Sequence, residues 1–133
     1  MSGKLQDEYF DLLAEEGYRP VRDDDGDISF KKEGYSLYIS IDENDPTFFR
    51  LVLPRFWEIA KGTEAEIYSI IDSTNLSVKA VKIYCEDGYV SASIEAFYSK
   101  TKDTQKVLDR VFSSLLFGLK IFKDKLIEKG LEK

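Results

Sequence analysis

The sequence predicts an α+β fold in which helices pack on an antiparallel sheet, in the order helix, three strands, helix, two strands, helix. Three observations lead to this prediction. Short segments alternate apolar and polar residues as half-buried strands do, three longer segments have apolar residues at helical spacing, and turn residues separate them. The length of 133 residues fits a single domain over residues 1–133.

The composition is that of a folded protein with little affinity for membranes or nucleic acid. Hydrophobic residues make up 43% of the chain and charged residues 33%. No window approaches the roughly eighteen apolar residues of a membrane span, and the charged N-terminus lacks the apolar segment of a signal peptide. We therefore expect a cytoplasmic protein. The net charge of −6 disfavours DNA and RNA, because lysine and arginine supply most of the binding energy for phosphates.

The first helix is predicted to run from Ser2 to Glu16. Its apolar residues recur at helical spacing: Leu5, Tyr9, Leu12 and Leu13. Gly17 favours the left-handed conformation that ends a helix. The first three strands are then predicted from Ile28 to Lys32, from Tyr35 to Ile41 and from Phe48 to Leu53, with Pro54 ending the third strand or marking an edge.

The second helix is predicted from a capping box at residues 63–66. In this motif the Thr63 oxygen accepts one free backbone amide and the Glu66 carboxylate reaches back to another. Asn75 favours the end of this helix. Its inner face is predicted to carry Ile67, Ile70, Ile71 and Thr74.

The hairpin from about Val78 to Phe97 gives the clearest local signal. Asp87-Gly88 is a two-residue turn that requires positive φ at both positions, and such a turn fixes the register of its strands. Counting outward pairs Glu86 with Tyr89, Cys85 with Val90, Ile83 with Ala92 and Val81 with Ile94. Alternate pairs are apolar, so this pattern predicts one buried face that includes Cys85.

The last helix is predicted from Asp103 to Lys129, with Gly130 ending it. Its apolar residues form one continuous stripe: Leu108, Phe112, Leu115, Leu119, Phe122 and Leu126.

Few side chains suit catalysis. The sequence contains no histidine, which excludes histidine-dependent nucleophiles and imidazole metal ligands. Residues 23–27 resemble a calcium loop only superficially and are predicted to be a solvated turn. Residues 42–45 belong to a predicted loop and lack the glycine and final glutamate of a calcium loop, so no metal site is predicted there. A pair of carboxylates remains possible as catalytic acid and base. We predict no catalytic residue, no metal site and no cofactor, and hence a protein that is not an enzyme.

Two features indicate a surface for a protein partner. Phe117 and Ile121 form an apolar pair on the side of the last helix opposite its main stripe. Three small residues lie beside this pair: Ser113, Ser114 and Gly118. Either other parts of the same fold cover this side, or a partner or second subunit does. The second feature is Phe56-Trp57, on the predicted connection before the second helix, where aromatic residues serve either as interface anchors or as the edge of the core.

The element order and several landmarks resemble the YbjN domain family, whose fold is similar to that of type III secretion chaperones. The landmarks are Glu16-Gly17-Tyr18, the helix over residues 63–75, the Glu86-Asp87-Gly88 hairpin and the aromatic-rich last helix. This resemblance covers nearly the whole chain. It implies a domain, usually a homodimer, that binds polypeptide or regulates other proteins without a cofactor.

The leading hypothesis is therefore a non-catalytic protein-binding or regulatory module that acts as a homodimer on a protein partner or client polypeptide. The alternative is a small-ligand sensor with an aromatic-lined pocket between sheet and helix, since 14% of the residues are aromatic.

Overall fold

The computed structural model describes residues 3–132. The helices are α1 (Lys4–Glu15), α2 (Glu64–Ser77) and α3 (Thr101–Glu128). The strands are β1 (Val21–Arg22), β2 (Ile28–Lys32), β3 (Tyr35–Ser40), β4 (Phe48–Glu58), β5 (Val81–Glu86) and β6 (Tyr89–Phe97). They form one six-stranded sheet in the order β1-β2-β3-β4-β6-β5. The predicted α+β fold and element order are confirmed, and the two-residue β1, too short to show alternation, is an addition.

The chain divides into two compact units. Of the described residues, the N-terminal unit comprises 3–53 together with Glu95–Asp109, and the C-terminal unit comprises Pro54–Ile94 together with 110–132. Three elements, β4, β6 and α3, continue from one unit into the other.

In the N-terminal unit, α1 is fixed at both ends. At its start, the Glu43 carboxylate accepts hydrogen bonds from the backbone amides of Leu5 and Gln6, both at 3.0 Å. A carboxylate is favourable there because the first amides of a helix are unpaired and carry partial positive charge. At its end, Gly17 has φ +90° and the Tyr18 amide donates to the Leu13 carbonyl. The predicted end is confirmed, whereas the predicted first residue, Ser2, lies outside the described residues.

The predicted end of β4 at Leu53 is wrong, because this strand continues through Pro54 to Glu58. Pro54 has no amide to donate. Arg55 takes a left-handed conformation with φ +46°, and its amide donates to the Ser91 hydroxyl at 2.9 Å instead of to a backbone carbonyl. A side chain thus replaces one backbone partner, as at a β-bulge, and the strand resumes.

The start and end of α2 also differ from the prediction. The Thr63 hydroxyl donates to the Ala60 carbonyl at 2.6 Å, and it is Glu64, not Glu66, whose carboxylate accepts the Gly62 amide. The capping box is therefore not formed. Asn75 does not end the helix, which continues to Ser77.

The side chain of Asn75 instead pairs with strand β5. Its amide nitrogen donates to the Ile83 carbonyl at 3.0 Å, and its oxygen accepts the Ile83 amide at 2.8 Å. Because β5 is the last strand in the sheet order, Asn75 satisfies backbone groups that no neighbouring strand can reach.

The hairpin of β5 and β6 has the predicted register. Asp87 and Gly88 have φ +52° and +83°, and all predicted pairs are present. The predicted burial of Cys85 is wrong, because this residue is exposed although its partner Val90 is fully buried. The cause is the position of β5 at the sheet edge, where burial is retained at Val81 and Ile83 but lost towards the turn.

Helix α3 is unbroken from Thr101 to Glu128, close to its predicted bounds. All six residues of the predicted stripe are buried: Leu108, Phe112, Leu115, Leu119, Phe122 and Leu126. Gly130, with φ +72°, lies just beyond its end, where the Leu131 amide donates to the Leu126 carbonyl. The predicted stop is confirmed.

Candidate functional site

The candidate site is a surface groove of about 570 Å³ in the C-terminal unit, here called the α3 groove. One wall is the exposed side of α3, and the other is the end of α2 with the residues that follow it. Its lining residues are Ser77, Lys79, Arg110, Ser113, Ser114 and Phe117.

The α3 wall follows from helical spacing. Arg110, Ser113, Ser114 and Phe117 are separated by three, one and three positions, so they share one helix face. On a neighbouring face, a Cβ atom added to Gly118 would lie 3.0 Å from a methyl group of Val81 on β5. Glycine at this position therefore lets the backbone of α3 approach β5 closely.

The other wall depends on a tight connection between α2 and β5. Only Val78, Lys79 and Ala80 join the two elements. Ala80 has φ +65°, and the Val81 amide donates to the Lys79 carbonyl at 2.8 Å, which closes a three-residue γ-turn. A positive φ is strained for alanine, and such strain persists only where the surrounding structure imposes it. The turn holds Lys79 beside the groove.

The charges of the groove are of one sign. Lys79 and Arg110 are the charged side chains among the lining residues, and both are exposed. Neither forms an ion pair with another residue in the part of the chain from 3 to 132. The protein as a whole carries a net charge of −6, so the groove is a cationic area on an acidic protein.

The apolar part of the groove is Phe117, whose surface is 52% exposed. A half-exposed phenylalanine between polar groups leaves apolar area that a bound molecule would remove from water. Ile121, one turn further along α3, is half-buried.

The structure places only some of the predicted partner-binding residues in the α3 groove. Ser114 and Phe117 line the groove, whereas Gly118 faces Val81 of the same unit. Phe56 and Trp57 lie on β4 and not on a connection, and both are half-buried. The ring of Phe56 packs edge-on against Phe122, with 5.5 Å between centroids.

Sequence reasoning missed three lining residues. Arg110 lies seven positions before Phe117, and this spacing could have placed it on the same helix face. Ser77 and Lys79 give no such signal, because their position depends on how the α2–β5 connection folds against α3.

One solved structure has a similar fold. A chain from the structure of the HopA1–SchA chaperone–effector complex superposes with a TM-score of 0.61 at 16% sequence identity. The match covers 93% of this chain and 99% of that chain. The predicted type III secretion chaperone-like fold is confirmed. No protein-family model and no curated protein matches the sequence, so membership of the YbjN family stays a prediction.

The N-terminal unit of this chaperone-like fold has a second concave site, of about 460 Å³. It lies beside β1 and β2 and is lined by Gly17, Tyr18, Arg19, Val21, Ser29, Phe30, Lys31 and Ser36. The Lys32 ammonium donates to the Tyr18 hydroxyl at 2.9 Å, and this bond raises the pKa of Lys32. The two aromatic side chains that line this pocket at the sheet edge are Tyr18 and Phe30.

The acidic segment over residues 23–27 is tied to the backbone. One Asp23 oxygen accepts the amides of Asp25 and Asp27, both at 3.0 Å, and one Asp27 oxygen accepts the Ile41 amide at 2.7 Å. These bonds match the turn predicted there. Within residues 3–132, no group of three histidine, cysteine, aspartate or glutamate side chains is arranged to hold a metal ion.

Cys85 is exposed but not activated. Partial burial of the thiol raises its pKa above the ordinary value of 9.0, so it is protonated at neutral pH. None of the helices in the described part of the chain is long and apolar enough to cross a membrane.

Proposed function

We propose that the protein is a non-catalytic protein-binding module that holds a segment of a partner or client polypeptide in the α3 groove. The observation that carries this proposal is the half-exposed ring of Phe117 in a groove that also carries two unpaired cations, Lys79 and Arg110. Aromatic residues and arginine are enriched among the residues that dominate the energy of protein interfaces. A covering polypeptide removes the ring from water and supplies partners for the cations.

The fold supports this proposal. The similar chain comes from a chaperone–effector complex. Because one fold hosts many functions, it is the groove, and not the likeness in fold, that indicates polypeptide binding.

Affinity capture from native lysate tests the binding proposal. The wild-type protein is compared with Phe117→Asp and with Val21→Asp, a control that places the same charge on an exposed residue of the N-terminal unit. Val21 is 61% exposed, so both variants should fold. We expect a polypeptide that is captured by wild type and Val21→Asp and lost with Phe117→Asp. Identical capture by all three proteins would refute the proposal.

We further propose that the protein acts as a homodimer. The support is Leu76 on α2, whose side chain is 88% exposed and would be removed from water at a subunit contact. Light scattering at tens of micromolar should give the mass of two chains for wild type and of one chain for Leu76→Asp. A wild-type mass of one chain would exclude the dimer, and a dimer that only Phe117→Asp disrupts would move it to the α3 groove.

A single YbjN-type domain in the cytoplasm completes the proposal. The part of this proposal that concerns a single domain is supported by β4, β6 and α3, each of which continues from one unit into the other. Calorimetry should therefore show one unfolding transition whose calorimetric and van't Hoff enthalpies agree. Two separate transitions would contradict the single domain.

A small-ligand sensor is the second candidate function, favoured by the pocket beside Tyr18 and Phe30. A ligand that binds only the folded state raises the melting temperature with the logarithm of its concentration. Thermal-shift screening should then find a metabolite whose effect is lost in Tyr18→Ala and kept in Phe117→Asp. An effect that survives Tyr18→Ala would exclude this pocket.

A further inference from the structure

We infer that the polypeptide segment bound in the α3 groove is acidic, with carboxylates beside Lys79 and Arg110 and an apolar side chain against Phe117. This inference rests on the proposed function and adds the chemistry of the client.

The first argument is the charge of the two walls. Lys79 belongs to the α2–β5 connection and Arg110 to α3, so a segment that lies in the groove meets a cation on each side. Neither cation has an ion-pair partner among residues 3–132. The arginine side chain can form two parallel hydrogen bonds with one carboxylate. A bound segment that excludes water would strengthen the attraction of its carboxylates to both Lys79 and Arg110. A basic segment would instead add like charges.

The second argument is the spacing along α3. Arg110 and Phe117 are seven residues apart, which is about 10 Å along a helix. An extended polypeptide advances about 3.3 Å per residue. An acidic residue and an apolar residue roughly three positions apart in the client therefore reach both groups at once. The hydroxyls of Ser113 and Ser114 lie between them and can pair with the client backbone.

The same charges disfavour a second copy of this chain as the occupant. In a two-fold dimer each subunit presents the same patch. A contact through the α3 groove would place Lys79 and Arg110 of both subunits at one interface, where like charges repel. A separate acidic segment has no such cost.

The test selects peptides from a random library displayed on phage, with wild-type protein and Phe117→Asp as targets. We expect peptides selected by wild type alone to carry aspartate or glutamate about three positions from an aromatic or large aliphatic residue. Fluorescence polarisation of a selected peptide should show at least about a tenfold loss of affinity for the Lys79→Glu/Arg110→Glu double variant. Lys61→Glu, a reversal on an exposed residue outside the groove, should bind like wild type. All the substituted residues are exposed, so folding is retained.

The outcomes separate the inference from the proposed function. Peptides that depend on Phe117 but show no acidic enrichment, or that bind the double variant as tightly as wild type, overturn the inference alone. A library without any Phe117-dependent peptide overturns the proposed function as well. Self-association that Phe117→Asp abolishes would make a second copy the occupant and also overturn the inference.

Discussion

The two units use their polar side chains in different ways. In the N-terminal unit, Glu43 caps α1 and Asp27 bonds the Ile41 amide, so carboxylates fix the backbone of the unit that contains them. In the α3 groove of the C-terminal unit, Lys79 and Arg110 have no ion-pair partner among the described residues. The difference indicates that the first set contributes to stability and that the second is available for binding.

Helix α3 shows the same contrast along its length. Thr104, in the N-terminal unit, is fully buried and hydrogen-bonded to the Tyr9 hydroxyl at 3.2 Å. Phe117, in the C-terminal unit, is 52% exposed. The same helix therefore carries a buried, hydrogen-bonded residue that stabilises the fold and an exposed apolar residue that is accessible to a partner.

The largest expected effect compares two phenylalanines of α3. Phe122→Ala should lower the free energy of unfolding by about 3–5 kcal/mol, because Phe122 is fully buried. Phe117→Ala should cost less than about 1 kcal/mol, since half of its surface is already in water. Urea denaturation of both variants measures the difference. Equal losses would mean that Phe117 belongs to the core.

The helix cap of the N-terminal unit gives the next effect. Glu43→Ala removes the acceptor of two helix amides and should destabilise the protein by about 1–2 kcal/mol. Capture of the client should be unchanged once the variant is folded. Asp24→Ala removes an exposed carboxylate of the same unit and serves as the control with almost no loss. If Glu43→Ala lowered the affinity for the client, the stabilising carboxylates of the N-terminal unit and the cations of the α3 groove would not have separate roles.

Asn75 shows that the C-terminal unit also contains a polar side chain that stabilises its own backbone. Asn75→Ala leaves the amide and carbonyl of Ile83 without their side-chain partner and should cost about 1 kcal/mol. Ser69→Ala, on the exposed side of the same helix, is the control. Thermal unfolding of both variants distinguishes the contribution of Asn75 from helix propensity. Equal melting temperatures for the two variants would mean that the hydrogen bonds from Asn75 to β5 do not stabilise the protein.

The smallest effect is a dependence of stability on pH. Burial raises the pKa of Asp27 above its ordinary value of 3.8, against the opposing effect of the Ile41 amide bond. The folded protein therefore holds this proton more tightly than the unfolded chain does. The contribution of Asp27 to stability falls as pH rises from 3.8 through the raised pKa, and it stays lower at neutral pH.

Asp27→Asn tests that sign. The asparagine oxygen can still accept the Ile41 amide, but the charge is gone. The variant should be slightly more stable than wild type at pH 7, and the difference should vanish at acidic pH. Denaturation at several pH values measures it. A variant that is less stable at pH 7 would show that the charge of Asp27 favours folding.

Local chemistry explains which parts of the fold were predictable. The Asp87-Gly88 turn dictates a register, and the apolar stripe of α3 dictates a buried face, so both were predicted correctly. The end of α2 was not, because Asn75 finds a partner in Ile83, which lies on another element. Burial of Cys85 was also predicted wrongly, because it depends on what covers the sheet edge.

The candidate site was predictable only where helix periodicity applies. Phe117 and Ser114 were found because a helix with apolar residues on two sides is visible in its spacing. Lys79 was not found, because it reaches the groove through the tight turn at Ala80, whose positive φ is unusual for alanine. The cationic character of the groove comes from tertiary structure and not from a motif.

The most direct test of the α3 groove as a binding surface is site-specific photo-crosslinking in native lysate. A photoreactive amino acid is placed either at Ser114, in the α3 groove, or at Ser36, in the pocket of the N-terminal unit. The account predicts a covalent adduct with a polypeptide at Ser114 that disappears with Phe117→Asp, and none at Ser36. An adduct at Ser36 without one at Ser114 would contradict it.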